Sequence, residues 1–173
     1  MRILALSGSL REASENTRLL RAVARLAPAG IEVIVYSGLG ELSLFNPDIE
    51  FPNPPAVATL RAAINAADAV IIASPEYAHG VSAVIKNALD WMVGNESFVN
   101  KSVALLNAAP RATHAYLALR ETVTMMSAQV IDTACITLPI PLTNLTEEDI
   151  VQHSSLSAVL ITMLEALQAY GNN

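Results

Sequence analysis

Short apolar runs alternate along the chain with longer stretches whose apolar residues recur at helical spacing. Four runs are clear, at residues 3–6, 31–35, 69–72 and 103–106, and a less regular run covers 130–138. Each is too short for a helix and suits a strand that is buried on both faces. Strands that alternate with helices form a parallel sheet covered on both faces. The sequence therefore predicts an α/β fold with five parallel strands.

The stretches between these runs predict the covering helices and the faces that they bury. Apolar side chains recur three or four residues apart, which marks one face of a helix. A helix is also predicted over residues 83–93, and the proline-rich connection at 37–55 is predicted to be largely irregular. The predicted buried faces are Leu19, Leu20, Val23 and Leu26; Val57, Leu60 and Ile64; Tyr116, Leu119, Val123 and Met126; and Leu156, Leu160, Met163, Leu164 and Leu167.

A five-stranded doubly wound sheet usually has the flavodoxin-like strand order 2-1-3-4-5. Ligands of such sheets bind at the carboxyl ends of the strands, where the order reverses between strands 1 and 3. We therefore expect the turns after strand 1 (residues 7–16) and strand 3 (74–82) to form the site, with the turn after strand 4 (107–114) nearby.

Composition limits the class of protein. A length of 173 residues predicts one domain spanning 1–173. Apolar residues make up 53% and charged residues 15%, which suggests that an oligomer, a homodimer or homotetramer, hides some surface. A net charge of −6 argues against nucleic acid or anionic membrane as a partner. No apolar run is long enough for a membrane span, and the single cysteine predicts a cytoplasmic location.

The turn after the first strand is rich in groups that bind anions. It reads Ser-Gly-Ser-Leu-Arg-Glu-Ala-Ser-Glu-Asn-Thr from residue 7 and leads into a helix that begins near Ser14. Backbone N–H groups at a helix start, hydroxyls and the Arg11 guanidinium together favour a phosphate. In the alternative interpretation Ser14 only caps the helix and Arg11 is solvated. Glu12 and Glu15 are expected to point to solvent, away from such an anion.

The loop matches none of the common phosphate-binding motifs. It has no lysine for a P-loop and no second and third glycine for a dinucleotide fingerprint. A phosphatase of this architecture would need a cysteine in the loop, and Cys135 lies far along the chain. A site that holds one phosphate monoester without hydrolysing it is the remaining interpretation.

A second motif follows the third strand. The turn reads Pro75-Glu76-Tyr77, and the next helix carries Lys-Asn-Ala-x-Asp-Trp at residues 86–91. Together with the Gly-Ser-x-Arg-x-x-Ser-x-Asn loop, this pattern strongly resembles the NADPH-dependent FMN reductases, flavodoxin-like proteins that reduce flavins, quinones, azo dyes or chromate. The resemblance covers roughly residues 1–131.

The resemblance implies two groups of FMN-binding residues. The first loop would bind the ribityl phosphate through Ser9, Arg11, Ser14, Asn16 and Thr17. The second would wrap the isoalloxazine ring through Pro75, Glu76 and Tyr77, together with the rest of the same turn, Ala78, His79 and Gly80. Relatives usually have Asn where this chain has Ala78, and a glycine-rich turn where it has residues 109–114.

Several residues near these motifs have open roles. His79 could be a solvated loop histidine or could act directly in the chemistry. His114 could be a donor at the flavin edge, or could cap a helix or lie at the surface. Lys86 and Asn87 are expected to stabilise the loop and its helix. Asp90 and Trp91 are expected to form a subunit contact, because Trp is favoured at interfaces.

The resemblance implies an enzyme in which a nicotinamide, from NADPH or NADH, gives hydride to bound FMN. A small-molecule acceptor, such as a flavin or quinone, then takes the electrons. No catalytic side chain and no metal are predicted, since FMN carries the chemistry. The alternative is a non-catalytic electron carrier or redox sensor. Carriers commonly sandwich the ring between aromatic side chains, whereas Tyr77 is the one aromatic residue of this loop. A phosphate-binding module without flavin is a third possibility.

Overall fold

A largely parallel sheet with helices on both faces forms the centre of the molecule. The computed structural model describes residues 1–171. Its strands are β1 (Arg2–Ser7), β2 (Glu32–Tyr36), β3 (Ala69–Ala73), β4 (Glu76–Tyr77), β5 (Gly80–Val81), β6 (Ser102–Asn107), β7 (Gln129–Val130) and β8 (Ile136–Thr137). Its helices are α1 (Glu15–Leu26), α2 (Pro55–Asn65), α3 (Ala83–Val93), α4 (Thr113–Met125), α5 (Glu147–Gln152) and α6 (Ser154–Gly171).

The strand order is β2-β1-β3-β6-β7, and each of these pairs is parallel. The order reverses between β1 and β3, as the sequence predicts. Strands β4 and β5 form a separate antiparallel hairpin in the turn after β3. The carboxyl ends of β1 and β3 therefore lie side by side, with Ser7 in register with Ala73.

The prediction of one fifth strand over 130–138 is wrong in detail. Two strands of two residues each, β7 and β8, both pair with β6, and a 3-10 turn at Asp132–Ala134 separates them. Asp132 forms an ion pair with Arg120 of α4 at 2.6 Å. The chain therefore leaves the sheet for one turn and returns to it at Ile136.

Two hydrophobic clusters cover the two faces of the sheet. One contains the inward residues of α1 and α6, and the other contains those of α2, α3 and α4. Most of the predicted faces are confirmed as buried, including all five named residues of α6 and all three of α2. Leu26, Tyr116 and Met126 are partly buried at the margins of these clusters.

Helix α5 was not expected from the sequence, because its six residues are too few to show a period. A capping box joins Thr146 and Asp149 at its start. Arg25 of α1 forms ion pairs with Glu147 and Glu148, and Arg18 donates to the carbonyl of Leu145 at 2.7 Å. These bonds hold α5 and the residue Leu145 before it against α1, the helix that follows the first loop.

The Lys-Asn-Ala-x-Asp-Trp motif organises the connection between β2 and α2. The Trp91 indole N–H donates to the Ser43 carbonyl at 2.8 Å, and the Asn87 amide donates to the same oxygen at 2.9 Å. Lys86 pairs with Asp90 one turn along the helix. Trp91 is 1% exposed, so its predicted role in a subunit contact is wrong. The Trp91 side chain instead packs against Phe45 and donates to Ser43, both in the same chain.

No helix within residues 1–171 combines the length and the apolar character that crossing a bilayer requires.

Replacing Leu160 by Ala should lower the free energy of unfolding by about 2–5 kcal/mol, because a buried leucine leaves a cavity. Leu117→Ala is the matched control, since that side chain is 62% exposed on α4. Urea unfolding followed by circular dichroism measures both. Equal losses in the two variants would show that α6 contributes little to the core.

Candidate functional site

The turn after β1 is held in shape by its own hydroxyl groups. The Ser7 hydroxyl lies 2.7 Å from the Thr17 hydroxyl, which joins the end of β1 to the first turn of α1. The backbone N–H of Arg11 donates to Ser9 Oγ at 3.4 Å. Ser14 is the N-cap of α1, and its Oγ accepts from the Thr17 N–H at 3.2 Å. The local sequence therefore shapes a tight loop directly above a helix N-terminus.

The predicted residues of this loop differ in whether their polar groups are free to bind a ligand. Ser14 is buried and its hydroxyl caps the helix, as the alternative interpretation states. Arg11 is exposed, and its guanidinium makes no hydrogen bond or ion pair within the described chain. Asn16 is 7% exposed, and its carboxamide oxygen has no hydrogen-bond partner among residues 1–171. A buried polar atom without a partner marks a place where a ligand or water is required.

A cavity of about 280 Å³ opens beside this loop. Its walls include Ser9, Arg11 and Thr17 of the predicted set, and no residue of the 75–80 turn. Glu12 also borders the cavity, and its side chain is exposed to solvent, as expected. Solvent weakens the repulsion between this carboxylate and an anion.

Gly8 brings the turns after β1 and β3 into direct contact. Its N–H donates to the Ala73 carbonyl at 2.7 Å. A Cβ at position 8 would lie 2.7 Å from Ser82 Oγ and 2.9 Å from Pro75 Cδ, closer than real contacts allow. The close packing of these two turns therefore requires glycine here, and the two predicted loops meet at one edge of the sheet.

The second loop is a hairpin whose two central residues both have positive φ. Glu76 pairs with Val81 and Tyr77 with Gly80, so Ala78 and His79 form the turn, with φ of 49° and 61°. This is the backbone of a type I′ turn. Asn tolerates left-handed φ better than Ala does, which gives a physical reason for the Asn of relatives at position 78. Ala78 therefore adopts a strained backbone conformation in this turn.

Glu76 connects the hairpin to the turn after β6. Its Oε2 accepts from the Ala115 N–H at 2.8 Å, in the first turn of α4. The N-cap of α4 is Ala112, whose side chain cannot cap the helix. Glu76 therefore satisfies an N–H that the local sequence leaves without a cap. The Glu76 side chain is engaged by the protein in this way, whichever ligand the backbone of the hairpin contacts.

His79 and His114 form a stacked pair that sequence reasoning missed. Their rings are nearly parallel, at 16°, with centroids 4.0 Å apart. The two histidines are 35 positions apart in the chain, and only the sheet order could have suggested that they meet. Both side chains are exposed. The stack and the Glu76 bond fix the hairpin against the start of α4.

Taken together, the structure groups the predicted residues into two neighbouring sets. Ser9, Arg11 and Thr17 line the cavity, while Ser14 and Asn16 lie buried at the start of α1. Residues 75–80 form a more open surface, on which Tyr77 is 58% exposed. Gly8 links the two sets.

The parallel sheet with its order reversed between β1 and β3 is that of a flavodoxin-like α/β protein, a class whose ligands bind at this reversal. The family model of the NADPH-dependent FMN reductases matches residues 1–140. The chain belongs to this family.

Curated relatives have related names. A probable NADPH:quinone oxidoreductase of Oryza sativa subsp. japonica is 44% identical over 95 residues, which cover 53% of this chain and 47% of the relative. An NAD(P)H-dependent FMN reductase of Pseudomonas aeruginosa is 36% identical over 112 residues, covering 63% and 60%. A quinone reductase of Escherichia coli K12 is 34% identical over 94 residues, covering 53% and 50%. The chain thus matches about half to three fifths of the length of these relatives.

Among solved structures, the flavoenzyme FerB of Paracoccus denitrificans, an NAD(P)H:(acceptor) oxidoreductase, superposes with a TM-score of 0.79. The match covers 97% of each chain at 22% sequence identity. At this identity the likeness supports the fold.

Replacing Gly8 by Ala should destabilise the protein by about 1–3 kcal/mol, because the new methyl group would force the two turns apart. Gly40→Ala is the control, since its Cβ would meet only the Leu10 side chain, at 3.3 Å or more. Thermal unfolding compares the two variants. If Gly8→Ala is as stable as Gly40→Ala, the turns are not in the close contact described.

Proposed function

We propose that this protein is an NAD(P)H-dependent oxidoreductase that binds FMN and reduces a flavin, a quinone or a similar small acceptor. The proposal rests on one contact above all. Gly8 brings the loop after β1, which is suited to bind a phosphate, against the exposed hairpin after β3. One element suits the charged tail of a mononucleotide and the other suits its ring. Family membership and the names of the relatives support the same activity.

The first loop has the donors that a phosphate requires. Apart from the Thr17 N–H, which Ser14 caps, the N–H groups of the first turn of α1 have no partners within the helix, and the helix dipole is positive at this end. Arg11 can add a charge-assisted hydrogen bond, and Ser9 and Thr17 contribute hydroxyls. A phosphate oxygen cannot donate to the free carboxamide oxygen of Asn16, whereas a ribityl hydroxyl can. We therefore place Asn16 nearer the ribityl chain than the phosphate.

The hairpin is suited to hold a flat ring while leaving one of its faces accessible. Tyr77 is exposed and its backbone is fixed by pairing with Gly80. Pro75 and Glu76 are half-buried beneath it, and Glu76 is bonded to α4. When bound, FMN supplies the capacity to accept hydride from a nicotinamide and to pass electrons on. The residues of this chain supply position and hydrogen bonds.

An open ring face also separates this proposal from the alternative of an electron carrier. In the 75–80 turn the aromatic side chains are Tyr77 and the imidazole of His79, and His79 is stacked on His114. The hairpin therefore has no second aromatic side chain that could enclose a flavin ring together with Tyr77. A nicotinamide and an acceptor could use the same open face in turn.

We also propose that residues 1–173 form one domain that assembles as a homodimer or homotetramer in the cytoplasm. Large apolar side chains are exposed on the connection before α2 and at the end of α3. They include Leu44 at 81%, Phe51 at 84% and Val93 at 62%. Such a group of apolar residues favours an interface between copies.

A direct test is anaerobic reduction of the FMN-loaded protein by NADPH and by NADH, followed by oxidation with a quinone. The proposal expects bleaching of the flavin absorbance and turnover with the acceptor. Flavin that binds but is not reduced by either nicotinamide would support the carrier. A failure to take up FMN would contradict both and favour a module that binds other phosphates.

Arg11→Ala should weaken FMN binding by about 1.5–3 kcal/mol, because a charge-assisted contact with the phosphate is lost. Arg2→Ala is the control, since Arg2 is an exposed arginine at the opposite end of β1. Quenching of flavin fluorescence measures the dissociation constants. Equal affinities in Arg11→Ala and Arg2→Ala would place the phosphate elsewhere.

A further inference from the structure

The cavity beside the first loop extends well beyond the groups that one phosphate needs. Its volume is about 280 Å³, and its walls come from the first loop, from α1 and from the end of β2. The far wall belongs to the end of β2 and the residues after it, Val35, Tyr36, Ser37 and Leu39. Leu6 pairs with Tyr36 in the sheet, so Ser7 and Ser37 follow side by side. The cavity therefore joins the first loop to the end of the neighbouring strand.

A second arginine, Arg21, lines the same cavity. Arg21 follows Thr17 by one helical turn on α1, so both residues lie on the same face. Among the arginine and lysine side chains of residues 1–171, three make no hydrogen bond or ion pair with protein atoms: Arg11, Arg21 and Arg111. Two of these three line the one cavity. A guanidinium without a protein partner, facing hydroxyls across a cavity, suits an anionic group of a ligand.

The cavity also has apolar walls. Leu39 is 5% exposed, and Leu10 is 61% exposed and packs beside Gly40. An arginine beside leucine and valine side chains offers a surface for a purine as well as for a phosphate. No residue of the 75–80 hairpin lines the cavity, so a ligand group bound here lies apart from the proposed ring surface.

We propose that Arg21 and Ser37 form a subsite for a phosphorylated adenosine, the 2′-phosphate end of NADPH. The inference rests on the proposed function, in which a nicotinamide nucleotide is the electron donor. Its 2′-phosphate lies at the end of the molecule remote from the nicotinamide, as a subsite set apart from the hairpin requires. Arg21 is exposed, which suits a terminal group, while Arg11 and the start of α1 remain for the flavin phosphate. Arg21 thus favours NADPH over NADH.

Glu12 opposes both anions, because its carboxylate belongs to the same wall. The formal charge of the lining is +1, from Arg11 and Arg21 against Glu12. The affinity of the subsite should therefore rise when this carboxylate is made neutral, by up to about fivefold for an exposed charge.

The test is calorimetric binding of 2′,5′-ADP and of 5′-AMP to the FMN-loaded protein and to the protein as isolated. The wild type should prefer 2′,5′-ADP by about tenfold or more, and Arg21→Gln should remove that preference, because a charged hydrogen bond is lost. Arg25→Gln is the matched control, since it removes the same charge one turn further along α1. Glu12→Gln should strengthen binding of 2′,5′-ADP. In turnover, the KM for NADPH should rise relative to that for NADH in Arg21→Gln.

Three results would overturn the inference. They are an equal affinity of the wild type for the two nucleotides, an unchanged preference in Arg21→Gln, and displacement of 2′,5′-ADP by FMN. The last would assign the whole cavity to the flavin. A protein that never takes up FMN would instead contradict the proposed function, and binding of 2′,5′-ADP to the isolated protein would still decide the role of Arg21.

Discussion

The contact between Gly8 and the turn after β3 is the constraint on which the site depends. A parallel sheet places the carboxyl ends of adjacent strands side by side, yet it does not by itself bring their loops together. Here the Gly8 N–H bonds the last carbonyl of β3, and the missing side chain lets Ser82 and Pro75 approach. A loop with donors for an anion and a hairpin suited to a ring thereby become parts of one surface.

The rest of the site is stabilised by bonds between loops. Glu76 caps α4 from the hairpin, and His79 stacks on His114 at the start of the same helix. These contacts offset two locally unfavourable residues. Ala78 has a left-handed φ, and the side chain of Ala112 cannot cap α4. Fixed loops lower the entropy that a ligand loses on binding. The contacts of Glu76 and His79 with α4 therefore preorganise the proposed site.

The sequence predicted the features that depend on short-range pattern. Periodicity identified the buried faces of α2 and α6, and the Ser14 cap located the start of α1. It failed where tertiary contacts decide. Trp91 is buried by a loop that lies 48 positions away. The fifth strand is interrupted by a 3-10 turn at Asp132–Ala134, where Asp132 pairs with Arg120 of α4. The stack of His79 on His114, and an Arg21 without a partner among residues 1–171, are likewise visible only when distant segments are brought together.

The central claim is that the loop at the start of α1 holds the phosphate of FMN. The most direct measurement compares the affinities of the protein for FMN and for riboflavin, which has the same ring and ribityl chain without the phosphate. Charge-assisted bonds to the phosphate should make FMN bind at least about tenfold more tightly. Equal affinities would contradict the account, because the loop would then contribute nothing to flavin binding.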